Sequence, residues 1–125
     1  MDNIEPKGTL ALQTIAMPAD TNANGDIFGG WLMAQMDLGA SVVARARSRG
    51  KVATVAVNAM TFHKPVLVGD LVSIYSELQK EGTTSMHVGV EVWVTRLPSS
   101  ERIKVTEAGF VFVAVDGNGG KRKLP

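Results

Sequence analysis

Between Asn24 and Ala40 the chain reads NGDIFGGWLMAQMDLGA, a turn that runs straight into the one long helix the sequence predicts. The glycine pair at 29 and 30 ends the turn. From Trp31 to about Arg49 only Gly39 disfavours a helix, and Gly50 stands where a C-terminal glycine is expected. Such a helix is roughly 30 Å long. Its first half is apolar nearly all round, the pattern of a helix enclosed by other elements. Any fold for this chain must wrap something around it.

One residue conflicts with that enclosure. Asp37 lies two turns into the apolar part, and its helical neighbours are Met33, Ala34, Ala40 and Ser41. Burying a charge costs several kcal/mol unless it is paired or hydrogen-bonded. Gly39 beside it costs about 1 kcal/mol relative to Ala unless close packing requires it. Two unfavourable choices together point to a backbone or a ligand approaching here. An Asp that simply pairs with a neighbouring side chain is the other reading.

The remainder of the chain is built from strands. Residues 1–8 read as a loose arm. Thr9 to Ala16 forms a first strand, ended by Met17-Pro18. After Gly50 the period changes to two: Val52 to Thr61, Leu71 to Gln79, Ser85 to Thr95 and Arg102 to Val115 are the expected strands. Val72, Ile74 and Leu78 mark the core face of the third. Met86, Val88, Val90, Val92 and Val94 alternate most clearly. The last strand is long enough to need a bulge, expected at Gly109, and 116–125 reads as a flexible tail. There is no repeat and no linker, so 1–125 is expected to be one domain. Short links between successive strands imply an antiparallel sheet against one helix, an α+β architecture. One helix leaves an edge and a face of such a sheet uncovered, and dimerisation is the expected remedy.

Composition narrows the function. The formal net charge is +1, so nothing suggests a nucleic-acid or membrane-surface partner. With no cysteine there is no disulfide, thiolate nucleophile or Cys-based metal site. No apolar run approaches a membrane span and the N-terminal stretch is polar, so a cytoplasmic protein is expected. His63 and His87 lack a third ligand at metal spacing.

The runs from Met17 to Trp31 and from Gln35 to Gly39 closely resemble the YciA-type acyl-CoA thioesterases of the hotdog superfamily. Val57 to Asp70, Glu91-Val92-Trp93-Val94 and Phe110 to Asp116 extend the resemblance over nearly the whole chain. It implies the hotdog fold: a long central helix wrapped by a curved antiparallel sheet, in a dimer with a continuous sheet. Further assembly into a trimer of dimers is common in the family. It places the catalytic carboxylate at Asp37. It also implies a polar partner at Asp26, where many relatives carry Asn, so that the site straddles the dimer interface. Asp26 could position water, act as a second carboxylate or cap the helix.

Thioester hydrolysis needs a nucleophile, an oxyanion stabiliser and a grip on coenzyme A. Asp37 could serve as general base on water or attack the carbonyl itself. The N–H groups of Gly29, Gly30 and Trp31 lie at a helix N-terminus, where developing negative charge is favoured. Lys64 is the candidate for CoA phosphates, with Arg45, Arg47, Arg49 and the 121–123 run as alternatives. Thr84 and Ser85 could bond pantetheine, and Asn58 could line the tunnel. Hydratase chemistry is disfavoured. Asp20-Thr21-Asn22 is similar to a hydratase loop, but 25–29 holds none of the histidine that reaction requires. The expectation is a cofactor-free homo-oligomeric hydrolase of fatty acid metabolism, cleaving acyl-CoA to free acid and CoA. Coenzyme A enters only as part of substrate and product. The rival is a non-catalytic acyl-CoA-binding hotdog module.

Overall fold

The computed structural model describes residues 5–125; of the arm read at 1–8, residues 1–4 lie outside the described residues. The elements are β1 (Thr9–Ile15), a short 3-10 turn at Pro18–Asp20, α1 (Gly29–Ser48), β2 (Val52–Phe62), β3 (Leu71–Glu81), β4 (Ser85–Arg96) and β5 (Glu101–Ala114). The five strands make one antiparallel sheet in the order β1-β3-β4-β5-β2. Only β3, β4 and β5 are successive hairpin neighbours. The link from β2 to β3 instead crosses from one edge of the sheet toward the other. The three strand spacings it crosses total about 14 Å, well within reach of eight residues.

Every strand contacts α1. A helix about 10 Å across can touch five strands spaced about 4.8 Å apart only if the sheet curls around it. The helix buries one stripe, Leu32, Met36, Gly39, Ala40, Ala44 and Ser48, at three- and four-residue spacing. Against it stand Val72 and Ile74, the whole Met86–Val94 alternation, and Phe110 and Phe112 with ring centroids 6.4 Å apart. At Gly39 an added Cβ would lie 2.5 Å from Ile74 Cγ2. Close packing on the sheet therefore explains this glycine, and no ligand is needed to account for it.

The apolar first half of α1 is not enclosed by its own chain. Met33, Leu38 and Val42 remain exposed, as do Val55 and Val57 on the edge strand β2. At the far end, the residue in the left-handed conformation is Arg49 (φ 58°), one earlier than the glycine expected there. Its N–H donates to Arg45 O at 2.9 Å, closing the last turn.

Register decides which side chains face the helix. On β2 the pairing runs Thr54↔Phe112, Ala56↔Val111 and Val57↔Phe110, so Val55 is an extra residue. A second irregularity follows between Asn58 and Thr61, at Ala59 with φ 51°. The bulge expected at Gly109 is thus not on β5 at that point but across from it, on β2. β5 carries its own extra residue at Val105, between the pairs Val92↔Thr106 and Trp93↔Lys104. The segment 116–125 returns along the molecule: Arg122 donates to Ser48 O and Val115 O, both at 2.9 Å, and Leu124 packs on the core.

Candidate active site

Asp37 occupies the border between the buried stripe of α1 and its exposed face. Its Oδ1 accepts a 2.7 Å hydrogen bond from Thr54 Oγ1, and no cation pairs with it among the described residues. The carboxylate is thus half-buried and held by a neutral hydroxyl, with Oδ2 unpartnered. Thr54 thereby joins the candidate site, a residue that sequence reasoning missed. In the sequence it is one β-branched residue in a strand run, seventeen positions from Asp37 with no motif joining them. Only the register of β2 turns it toward the helix.

The same bulge removes another expected residue. Simple alternation from Thr54 would put Asn58 on the helix-facing side. The extra residue at Val55 shifts the phase, so Val57 faces the helix and Asn58 pairs with Gly109 on the opposite face. Asn58 does not line a tunnel shared with Asp37.

The helix begins earlier than the glycine pair suggested, at Gly29, with Phe28 as N-cap and no side-chain cap. Among the described residues, the N–H groups of Gly29 and Gly30 have no acceptor, and both residues are exposed. Trp31 N–H is occupied by Phe28 O at 3.2 Å, so it does not join them. Asp26 does not cap the helix. It is half-buried in a turn organised by Asn22, whose Oδ1 accepts from Asn24 N at 2.8 Å and Asp26 N at 3.2 Å.

A cleft of about 320 Å³ opens beside this helix start, lined by Ile27, Gly29, Leu32, Phe62, Lys64 and Val66, with His63 and Pro65. Gly29 and Lys64 both line it. The 65–70 loop on its wall is clamped by Arg96, which reaches Asp70 Oδ1 at 3.0 Å, Asp70 Oδ2 at 2.8 Å and Pro65 O at 3.2 Å. The bond to Asp70 holds the Arg96 guanidinium above its ordinary pKa. Thr84 and Ser85 are elsewhere, in the β3–β4 turn. There Thr84 O accepts from Ala114 N and Ser85 O from Gly82 N. The adjoining Glu81 pairs with Arg47 near the helix C-terminus, almost a full helix length (~30 Å) from Gly29.

Asp37 and the free N–H groups are also apart. Seven or eight residues at 1.5 Å per residue separate them by about 10–12 Å along one helix. A single acyl carbonyl cannot meet both within one chain. His63 Nε2 lies 3.9 Å from Glu107, and His87 is half-buried on β4. No group of three or more His, Cys, Asp or Glu side chains among the described residues is placed to hold a metal ion.

The comparisons with known proteins identify the family. Residues 24–97, from the turn through the helix to the end of β4, match the family model described as "Thioesterase superfamily". The acyl-CoA thioester hydrolase YciA of Salmonella typhimurium is 55% identical over 128 residues, covering 100% of this chain and 96% of that protein. The solved structure of HI0827, described as a hexameric broad-specificity acyl-coenzyme A thioesterase, superposes with a TM-score of 0.93 at 52% identity, covering 98% of this chain and 84% of that one. The hexameric thioesterase y2039 from Yersinia pestis gives 0.93 at 54% identity, covering 97% and 98%. The chain belongs to the thioesterase superfamily, within its YciA-type acyl-CoA thioesterases of hotdog fold.

Proposed function

We propose that Asp37 is the catalytic carboxylate of this chain. The enzyme hydrolyses the thioester of a fatty acyl-CoA, releasing the free acid and CoA. The observation that carries the assignment of Asp37 is its carboxylate, held on one oxygen by Thr54 and open on the other. Such a group takes a proton from water as that water attacks the carbonyl, or attacks the carbonyl itself to give a mixed anhydride that water then opens. Either way the C–S bond breaks and the thiolate of CoA leaves. The tetrahedral oxyanion is stabilised by the free N–H groups of Gly29 and Gly30, reinforced by the helix dipole.

The separation of about 10–12 Å along one helix gives these two parts to different subunits. We assign the minimal unit as a homodimer in which β2 pairs with β2 of a second copy, making the sheet continuous. The unpaired edge of β2 and the exposed Met33, Leu38, Val42, Val55 and Val57 support this surface. In that dimer Asp37 of one subunit faces the Gly29–Gly30 turn of the other, with Asp26 beside it positioning water. A trimer of dimers follows by analogy with the hexameric relatives. Lys64 at the cleft rim meets the CoA phosphates. We place the enzyme in the cytoplasm, and residues 1–125 act as one domain. Among the described residues, no helix is long and apolar enough to cross a membrane.

Free-thiol release from a panel of acyl-CoAs, wild type beside Asp37→Asn, tests the assignment. Losing a positioned general base costs about 10²–10⁴-fold, and a loss of that size at unchanged assembly is the expected result. Equal turnover by the two proteins moves the chemistry to Asp26. Binding of CoA by both without turnover makes the chain an acyl-CoA-binding module.

A further inference from the structure

We propose that the cleft beside Gly29 holds the acyl chain of the thioester, and that Phe62 is the side chain that selects among chains. The inference rests on the thioesterase reading above and deepens it. Phe62 ends β2 and is 50% exposed in the single chain. The outer edge of its ring, Cζ, lies 3.5 Å from where a Cβ on Gly29 would stand. The ring therefore flanks the free N–H that receives the carbonyl oxygen, at the point where the first carbons of the acyl group leave the reacting centre.

The interior of the cleft suits hydrocarbon and not the pantetheine arm. Ile27, Leu32 and Val66 form its floor, all three almost fully buried. Three backbone N–H groups along the cleft are engaged: Ile27 N with Val66 O at 3.2 Å, His63 N with Val105 O at 2.8 Å, and Lys64 N with Val105 O at 3.3 Å. Pro65 O is taken by Arg96. A pantetheine amide laid on the floor would meet three apolar side chains and lose the hydrogen bonds of water. An alkyl chain loses nothing. The charged groups Lys64 and His63 sit exposed at the rim, where the polar half of the substrate passes. An apolar cavity of about 150 Å³ accommodates one benzene. The cleft here, about 320 Å³ and open on one side, has room for at most on the order of ten carbon atoms, a short- to medium-chain acyl group.

The test compares acetyl-, butyryl-, hexanoyl-, octanoyl- and dodecanoyl-CoA. In wild type, kcat/KM is expected to rise about fourfold per methylene, the transfer value for a buried CH₂, and to flatten near ten carbons. In Phe62→Ala the octanoyl-to-acetyl ratio is expected to fall at least tenfold. Phe62→Leu, which keeps an apolar side chain on the strand, should lie between. A change that is the same for every chain length overturns the proposal, as does an unchanged ratio in a correctly assembled variant. Calorimetric binding of octanoyl-CoA and of CoA to Asp37→Asn, with and without Phe62→Ala, gives a readout independent of turnover. Loss of the acyl increment in binding upholds the slot even where the catalytic assignment fails, and an undiminished increment refutes it.

Discussion

Replacing Thr54 by Val removes one hydroxyl from the site and little else, since the two side chains have nearly the same shape. The hydroxyl donates to Asp37 Oδ1 at 2.7 Å. A hydrogen bond to a charged partner contributes about 1.5–3 kcal/mol. Thr54 is exposed and Asp37 half-buried in the single chain, so about 1–2 kcal/mol is the part expected to act on the carboxylate's position. At 1.36 kcal/mol per tenfold in rate, kcat should fall about 5–30-fold. KM should move little, because the bond orients the reacting group and does not touch the CoA handle. Thr54→Ser keeps the donor and should retain most of the rate. Thiol release measured as separate kcat and KM, on proteins matched for Tm and assembly, reads this directly. The strongest control is the pair of variants together: Thr54→Val should add nothing in an Asp37→Asn background. Full activity in Thr54→Val, or equal losses in Val and Ser, would refute the argument that the hydroxyl holds the carboxylate.

Three further outcomes follow from the packing and the charges. Gly39→Ala drives a methyl to 2.5 Å from Ile74 Cγ2. Overpacking of about 1–3 kcal/mol should outweigh the gain of about 1 kcal/mol in helix propensity, so thermal melting should show a Tm lower by several degrees; an unchanged or higher Tm contradicts the packing account. Ser76 is buried, and its Oγ has no hydrogen-bond partner among the described residues. Ser76→Ala should leave urea stability unchanged or raise it by up to about 1–2 kcal/mol, and a clear loss would mean that the hydroxyl has a partner. The Glu107 carboxyl is held below its ordinary pKa, chiefly by its hydrogen bond from Lys104. A group with a lowered folded-state pKa stabilises the fold above its unfolded value, near 4.3, and loses that contribution as pH drops through the folded one. Wild type should therefore lose more stability than Glu107→Gln between pH 5 and about 3. The difference should stay below about 1 kcal/mol, because both partners are partly exposed; parallel urea midpoints for the two proteins would exclude the effect.

Local and periodic features were readable before any coordinates. The Met86–Val94 alternation is buried as its period requires, because a strand has only two faces. Asp37 stood out because a carboxylate among small apolar neighbours has few reasons to be there. What failed did so where one residue of register matters. Asn58 was expected to line the tunnel, and the extra residue at Val55 turns it to the face opposite Asp37. Gly39 suggested a close approach by a backbone or a ligand, and the group that approaches is Ile74, a side chain thirty-five positions away.

The amino-acid sequence alone determined the long helix, the strand periods, the glycine pair at the helix start and the misfit carboxylate. Each of these follows from propensity, period or charge within a few neighbouring residues. Tertiary structure alone decided that Thr54 reaches Asp37, that Phe62 flanks Gly29, and that Asp37 and the free N–H groups lie about 10–12 Å apart on one helix. Those relations depend on strand order and register, which couple residues distant in sequence through backbone pairing that no local pattern encodes.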